Sequence, residues 1–479
     1  MTTSSLSKPP ASHSAGYARP LALLTLVALI AQLLVSGPSQ VIDPFVKHDD
    51  YPALLLMPEL YYWKTLAEGR WINYLWLLRW AESPAWLNNL AYQLGWCLFA
   101  AATALHALGQ RKLFYSAFLA TLIVLGPQAT VISGWFNTHF PGILIIAAYA
   151  VLTLFLRPKW GLILLIPFVP LSLMSYSTFP LLLLGVYLAR HDTTKGIWNL
   201  VITIVFFTAC FASGLLLINT INFLAHGSFD IEMATWRQTT PASDLAGLLL
   251  NLVKAEVFLS RSLLFHGFGV PLVSALNVGA FVAASLIMFR FRPMEAAYIL
   301  AGLLVGYGLL VVYILTEGTV VAFRATVFSW MLLAIMIVRA AYQCIEVSPL
   351  LASSGRIAVM FLTLTTALLS WTEYDSYKDW QRSTLSISEQ IPESVDTIFV
   401  YGPFLGLKGG IESGVQEWLG LELRLKQLTG AEIVDCNSEN VRCVDYPADF
   451  DPKPVYSHTK LQVQGNRAFL GLPEVDLAP

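Results

Sequence analysis

Long apolar runs, broken by short polar clusters, set the pattern of this chain. A hydrocarbon core about 30 Å thick takes ~20 helical residues, each rising about 1.5 Å. Charge-free runs of at least that length cover residues 20–42, 83–110, 113–156, 160–189, 196–229, 262–289 and 296–316, and shorter ones follow Arg324 and Arg356. The 113–156 run is too long for one crossing, and the stretch from Gly134 to Pro141 in its middle reads as a turn, so two helices are expected. The 160–189 run is broken by Ser175 to Thr178 and by Pro180. It predicts two short helices whose meeting point has to line a cavity, because lipid cannot satisfy open backbone groups. The pattern therefore predicts a membrane all-α fold of about eleven transmembrane helices.

Basic residues orient those helices. Lys8 and Arg19, Arg111 and Lys112, Arg157 and Lys159, Arg190 and Lys195, Arg290 and Arg292, and Arg339 and Arg356 all fall on one side. The positive-inside rule makes that side cytoplasmic. A cytoplasmic N-terminus and eleven crossings then put the C-terminal part outside. The first helix reads as an uncleaved anchor, since ten more spans follow it. No Asn-x-Ser/Thr sequon occurs, and the expected location is a bacterial inner membrane with the C-terminal domain periplasmic.

Polar positions divide the rest. Residues 1–19, rich in Ser, Pro and Ala, read as a disordered cytoplasmic segment. Residues 20–372 read as the polytopic membrane domain, with external loops at 37–84 and 222–267. In the first loop, Pro58 to Leu66 starts like a helix that Gly69 would end. The segment from Trp71 to Arg79 spaces Trp71, Tyr74 and Trp76 for a helix at the lipid headgroups. In the second loop, Leu245 to Phe265, interrupted by Lys254, Glu256 and Arg261, reads as another interfacial helix. Residues 373–479 form an external α/β domain, with helices over 373–389 and 415–428 and strands over 397–401 and 432–435.

Composition sharpens this division. The chain is 56% hydrophobic and 13% charged, against the roughly 25% charged of soluble domains. Residues 373–479 carry 9 basic and 17 acidic side chains, 26 of the 60 in the whole chain. Their net charge of minus eight suits an external domain. Cys97, Cys210 and Cys344 fall in helical runs and read as packing residues. Cys436 and Cys443 sit in a polar external turn, where a local disulfide is expected. No P-loop or dinucleotide glycine pattern occurs, and no nucleic-acid partner is expected.

One acidic pair occupies a telling position: Asp49-Asp50, just beyond the first helix and outside the membrane. Its bland reading is that Asp50 caps a helix starting near Pro52 while Asp49 is solvated. The acidic pair, the aromatic interfacial helices, Gly69-Arg70, the many spans and the external C-terminal domain together resemble the GT-C class of membrane glycosyltransferases. Within that class the chain is most similar to the serotype-converting O-antigen glucosyltransferases, the Gtr type II family. Asp49, Asp50, Gly69 and Arg70 carry the match.

That resemblance implies a hexosyltransferase that takes a sugar, glucose by analogy, from a polyprenyl-phosphate donor and adds it outside the cytoplasm to a glycan or lipid-linked glycan of the cell envelope, such as O-antigen. A flippase and a donor-synthesising glycosyltransferase would be its companions in the bilayer. Inverting transfer needs a carboxylate to take the acceptor hydroxyl proton, a role for Asp49 or Asp50. The departing lipid phosphate needs a fixed cation. Arg324, which interrupts an apolar stretch at the external mouth, suits it, whereas its bland reading is a snorkelling interfacial side chain. Arg70, Lys64 and Arg237 are further phosphate or sugar contacts, or ordinary ion-pair partners. Trp63 and Trp71 offer sugar-stacking faces, although aromatic residues crowd membrane interfaces without any ligand. His48, His139, His226 and His266 lie on the external side without metal-ligand spacing, so no cofactor is expected and a divalent ion stays an open alternative. An O-antigen ligase or polymerase, or a lipid-linked sugar transporter or flippase, are the rival readings.

Overall fold

A computed structural model describes residues 16–110, 112–190, 196–234, 237–415, 417–437, 443, 446–447, 450 and 459–474. Most of the segment expected to be disordered, residues 1–15, lies outside them, as do Arg111 and Lys195. Helices occupy most of the chain: α1 (Ala18–Ile42), α2 (Tyr51–Leu54), α3 (Trp63–Glu68), α4 (Trp71–Leu77), α5 (Ala85–Leu108), α6 (Leu113–Val124), α7 (Pro127–Ile132), α8 (Phe136–Phe155), α9 (Pro158–Leu173), α10 (Phe179–Leu188), α11 (Ile197–His226), α12 (Leu245–Phe265), α13 (Pro271–Phe291), α14 (Pro293–Glu317), α15 (Val327–Gln343) and α16 (Pro349–Ser376).

Among the described residues, seven helical stretches have the length and apolar composition to cross a membrane: Ala18–Ile42, Pro127–Phe155, Ile197–His226, Pro271–Phe291, Pro293–Glu317, Phe323–Gln343 and Pro349–Ser388. The apolar helices α6, α9 and α10 are shorter. Large apolar side chains such as Val205, Leu216, Leu224 and Leu286 stand exposed on the flanks of α11 and α13. Water would oppose such a surface and lipid would cover it. By contrast, α15 is buried on nearly every side and forms the axis of the bundle. Glycines let it pack closely: a Cβ at Gly126 would lie 2.2 Å from the Trp330 ring, and one at Gly306 would lie 2.1 Å from Phe328.

The break expected between Gly134 and Pro141 falls elsewhere. The chain turns at Leu125 and Gly126 between α6 and α7, a 3₁₀ turn covers Ser133–Trp135, and Phe136 to Pro141 open α8. Pro141 lies inside α8, past its first turn, where its missing N–H leaves the Asn137 carbonyl without its intrahelical donor. The first external loop is folded much as its sequence suggests. Pro58–Leu60 forms a 3₁₀ turn, α3 follows, and Gly69 ends α3 at φ 67°, a left-handed conformation that favours glycine.

The C-terminal part has its own apolar core, including Trp380, Ile398, Val400, Leu421, Leu425 and Leu470. Its elements are α17 (Lys378–Ser388), β1 (Thr397–Tyr401), α18 (Trp418–Thr429), β2 (Glu432–Asp435), β3 (Lys460–Gln464) and β4 (Arg467–Gly471). The sheet order is β2-β1-β4-β3, with β1 parallel to both neighbours and β3 antiparallel to β4. No break occurs at residue 373: α16 runs on to Ser376, so the last membrane helix leads directly into this part. Cys436 and Cys443 are disulfide-bonded, with Cα atoms 5.6 Å apart. The free Cys97, Cys210 and Cys344 are buried.

This domain docks on the chain that leaves α1. Arg424, almost wholly buried, holds the Asp43 carboxylate with both terminal nitrogens, one at 2.7 Å. Gln40 donates to Gln381 at 3.2 Å, and Phe45 stacks on Tyr377 at 4.3 Å. Lys47 reaches the carbonyls of Ser413 and Gly414 at 2.6 and 3.2 Å. The acidic pair follows directly, so the docked domain fixes where that pair begins.

Candidate functional site

The two adjacent carboxylates meet different fates. Asp50 is fully buried, and its side chain makes no cap to α2, contrary to the simple sequence expectation. It reaches instead to the start of α8, accepting from the Asn137 backbone at 3.0 Å, the Asn137 side chain at 2.8 Å and the Thr138 backbone at 2.6 Å. Those N–H groups have no intrahelical acceptor, and a carboxylate there also meets the positive end of the helix dipole. Burial pushes the Asp50 carboxyl up to about 6, with the hydrogen bonds from Thr138 and Asn137 offsetting part of the rise.

Asp49 points the other way, and its side chain keeps 31% of its exposure. Lys64 lies 2.8 Å from one oxygen, and the Trp135 indole N–H donates to the other. Burial alone would raise this carboxyl, but Lys64, His48 and the Trp135 hydrogen bond outweigh it and hold the group well below the usual carboxylate range. Asp49 is therefore ionised at any working pH.

Trp135 connects the carboxylate to a cation. The Arg324 guanidinium stands 4.4 Å from its ring centroid, a favourable contact between a cation and the indole face. Among the described residues no carboxylate lies within ion-pair distance of Arg324. Lys47 approaches the same indole at 5.6 Å. Burial lowers the Lys47 ammonium to about 8, with Glu373 opposing that shift and Arg324 adding to it.

Beside this group lies a second cluster, built on Glu68. Arg70 pairs with it at 2.5 Å and Arg237 at 3.2 Å. Burial would raise the Glu68 carboxyl, but Arg70, Lys64 and Arg237 prevail and hold it below its ordinary value. Arg70 also faces the Tyr176 ring at 5.5 Å, where the chain turns between α9 and α10. His139, near the start of α8, lies within electrostatic reach of Arg70, Arg324, Asp49 and Lys64. Among the described residues both its ring nitrogens are buried without a hydrogen-bond partner, and so is the hydroxyl of Thr178. Polar atoms are seldom left so, and His139 packs against the Tyr176 and Phe179 rings beside Thr178.

Asp49, Lys64, Arg70, Arg237 and Arg324 are thus brought together, whereas Asp50 is turned away into the helix packing. Trp71 is tied up, its indole donating to Asn222 at 2.7 Å and its ring packed among Tyr62, Tyr74 and His226. Trp63 lies open at the edge, its indole donating to the Leu60 carbonyl at 3.1 Å and its ring 5.6 Å from the Lys64 ammonium. Trp236, next to Arg237, lies outside the described residues. Among the described residues no group of three or more His, Cys, Asp or Glu side chains is arranged to hold a metal ion.

Two members, Trp135 and Glu68, escaped the sequence reading, and His139 counts there only as a candidate metal ligand. Trp135 and His139 sit in a segment that reads as a turn, and Glu68 reads as one surface charge among many. Only the Gly-Arg following Glu68 pointed there. The chain matches no family model, and no curated protein matches it at a significant level.

Proposed function

We propose that this protein is a membrane glycosyltransferase of the GT-C type that moves a hexose from a polyprenyl-phosphate donor to a cell-envelope glycan on the non-cytoplasmic side. The observation that carries the reading is one indole, Trp135, holding an ionised, partly open carboxylate through its N–H and, on its face, a guanidinium with no carboxylate partner among the described residues. In this reading the short helices α6, α9 and α10 and the less apolar α5 complete eleven passes, with the Asp49 end of the bundle outside.

The chemistry follows from charge. Asp49 takes the proton from the acceptor hydroxyl as the new bond forms from that oxygen to the anomeric carbon. The bond from the anomeric carbon to phosphate oxygen breaks, and its electron pair leaves with the polyprenyl phosphate. Arg324 meets the charge that develops there, in a setting where few waters compete. Asp49's low proton affinity makes it a weak base, and access decides in its favour, because Asp50 is fully buried and an acceptor from outside does not meet it. Glu68 holds Arg70 and Arg237 where donor phosphate or sugar oxygens would lie. Glucose is the sugar that the family resemblance suggests.

Purified protein in proteoliposomes tests this directly. Polyprenyl-phosphate glucose should support transfer to lipid-linked glycan acceptor, and UDP-glucose should not. Transfer from the nucleotide sugar without a lipid carrier would contradict the reading.

A further inference from the structure

His139 is a buried polar side chain that the proposed transfer does not yet use. It lies near the start of α8, 2% exposed. Its ring meets Tyr176 edge-on at 4.7 Å between centroids and Phe179 at a tilt at 5.8 Å. Those two rings stand at the turn between α9 and α10, which Asn73 fastens to α4. The Asn73 side chain donates to the Ser175 carbonyl at 2.8 Å and accepts from the Ser175 hydroxyl at 2.7 Å. Thr178, in the same turn, is equally buried, and its hydroxyl has no partner among the described residues.

Packing alone does not account for an imidazole here. Two aromatic neighbours would accept a phenyl ring as well, and a phenyl ring carries no nitrogen to strip of water. Burying an N–H and a lone pair with no partner opposes folding. Sequences break such local rules chiefly where function demands it. An imidazole kept in this place is one whose partner arrives with a ligand.

Its neighbours define that ligand. Arg70, Arg324, Asp49 and Lys64 all act electrostatically on the His139 ring. In the transfer proposed above, the donor sugar lies between the carboxylate that takes the acceptor proton and the cations that meet the phosphate, and His139 is within electrostatic reach of both. A neutral imidazole presents one N–H and one lone pair. The hydroxyls of a hexose supply an acceptor and a donor, whereas a phosphate diester supplies acceptors only. We propose that His139 binds the hexose of the polyprenyl-phosphate donor through its hydroxyls, with the Thr178 hydroxyl adding to the same contact. The assignment rests on the transfer reading, and it makes His139 a residue that tells the glycosylated carrier lipid from the bare one.

The test compares binding of polyprenyl-phosphate glucose and of polyprenyl phosphate to the full-length protein in nanodiscs, with no acceptor present. The wild type should prefer the glucosylated lipid. His139→Phe keeps a ring between Tyr176 and Phe179, so its unfolding midpoint should equal or exceed that of the wild type. It should lose about tenfold of the preference, the usual size of one or two neutral hydrogen bonds, with affinity for the bare carrier unchanged. His139→Gln, which retains a donor and an acceptor, should recover part of the preference. A His139→Phe variant that keeps the wild-type preference, or that loses affinity for both lipids alike, would overturn the assignment and leave the transfer reading standing. A wild type that binds neither lipid would overturn both.

Discussion

The two ends of the helical bundle each bury a charge at helix termini, with opposite signs. Near the Asp49 end, the Asp50 carboxylate accepts from open N–H groups at the start of α8. At the far end, the Arg339 guanidinium donates to carbonyls at the close of α5 and α10. Each is complementary to the local helix dipole, and each is buried. Asp49 and Arg324 differ from both: they keep partial exposure and meet side chains rather than helix ends. A buried charge that completes a helix terminus holds the fold, and one left at a shared aromatic ring is available to a ligand.

Breaking the far end should have the largest effect on stability. Arg339→Gln leaves Glu295 and two helix-end carbonyls poorly matched, and loss of one partner from a buried pair costs about 3–5 kcal/mol. Chemical denaturation in detergent would measure it, and a native-like midpoint would break the parallel with Asp50. Next comes Arg324→Ala, which should slow transfer about a hundredfold, the scale of losing one oxyanion donor. Its midpoint should stay unchanged, because Arg324 completes no helix end. Arg324→Lys should recover part of the rate, since charge survives without the planar fork.

The acidic counterpart gives a pH-dependent effect. Burial raises the Asp50 carboxyl to about 6 in the folded protein. The protonated form is therefore favoured on folding, and its contribution is complete below the ordinary carboxylate value and lost as pH rises through 6. The stability of the wild type relative to Asp50→Asn should fall by up to ~3 kcal/mol between pH 4 and pH 7. A constant difference would place the Asp50 side chain in water. The smallest effect is expected at the edge of the site: Trp63→Ala should change transfer by less than about threefold, because a weakly held interfacial aromatic contributes little.

How far the sequence could be read depended on distance along the chain. Leu245–Phe265 was legible as a helix, and Thr397–Tyr401 and Glu432–Asp435 as strands, because local apolar patterning and terminators define them. Lys460–Gln464 and Arg467–Gly471 were not, since their pairing with each other and with β1 gives weakly patterned residues their strand character. Lys64 and Arg70 stand close to Asp49 in the chain and were found as site residues. The link from Asp49 to Trp135 spans 86 positions, and that from Asp50 to Asn137 spans 87. No local spacing rule carries such a link, so the helix-end role of Asp50 and the relay through Trp135 needed the three-dimensional arrangement.

The account turns on Asp49 rather than Asp50 as the reacting carboxylate, and the transfer rate of Asp49→Asn measures this most directly. Single-turnover transfer from polyprenyl-phosphate glucose in proteoliposomes should fall about a hundredfold or more, the usual size of a general-base contribution, measured on folded protein because Asn also leaves the buried Lys64 without its carboxylate partner. A wild-type rate that holds steady as pH falls through 6 would accompany that loss. Asp49→Asn transferring within a few-fold of the wild type, or a wild-type rate that halves near pH 6, would contradict the account and move the chemistry to Asp50.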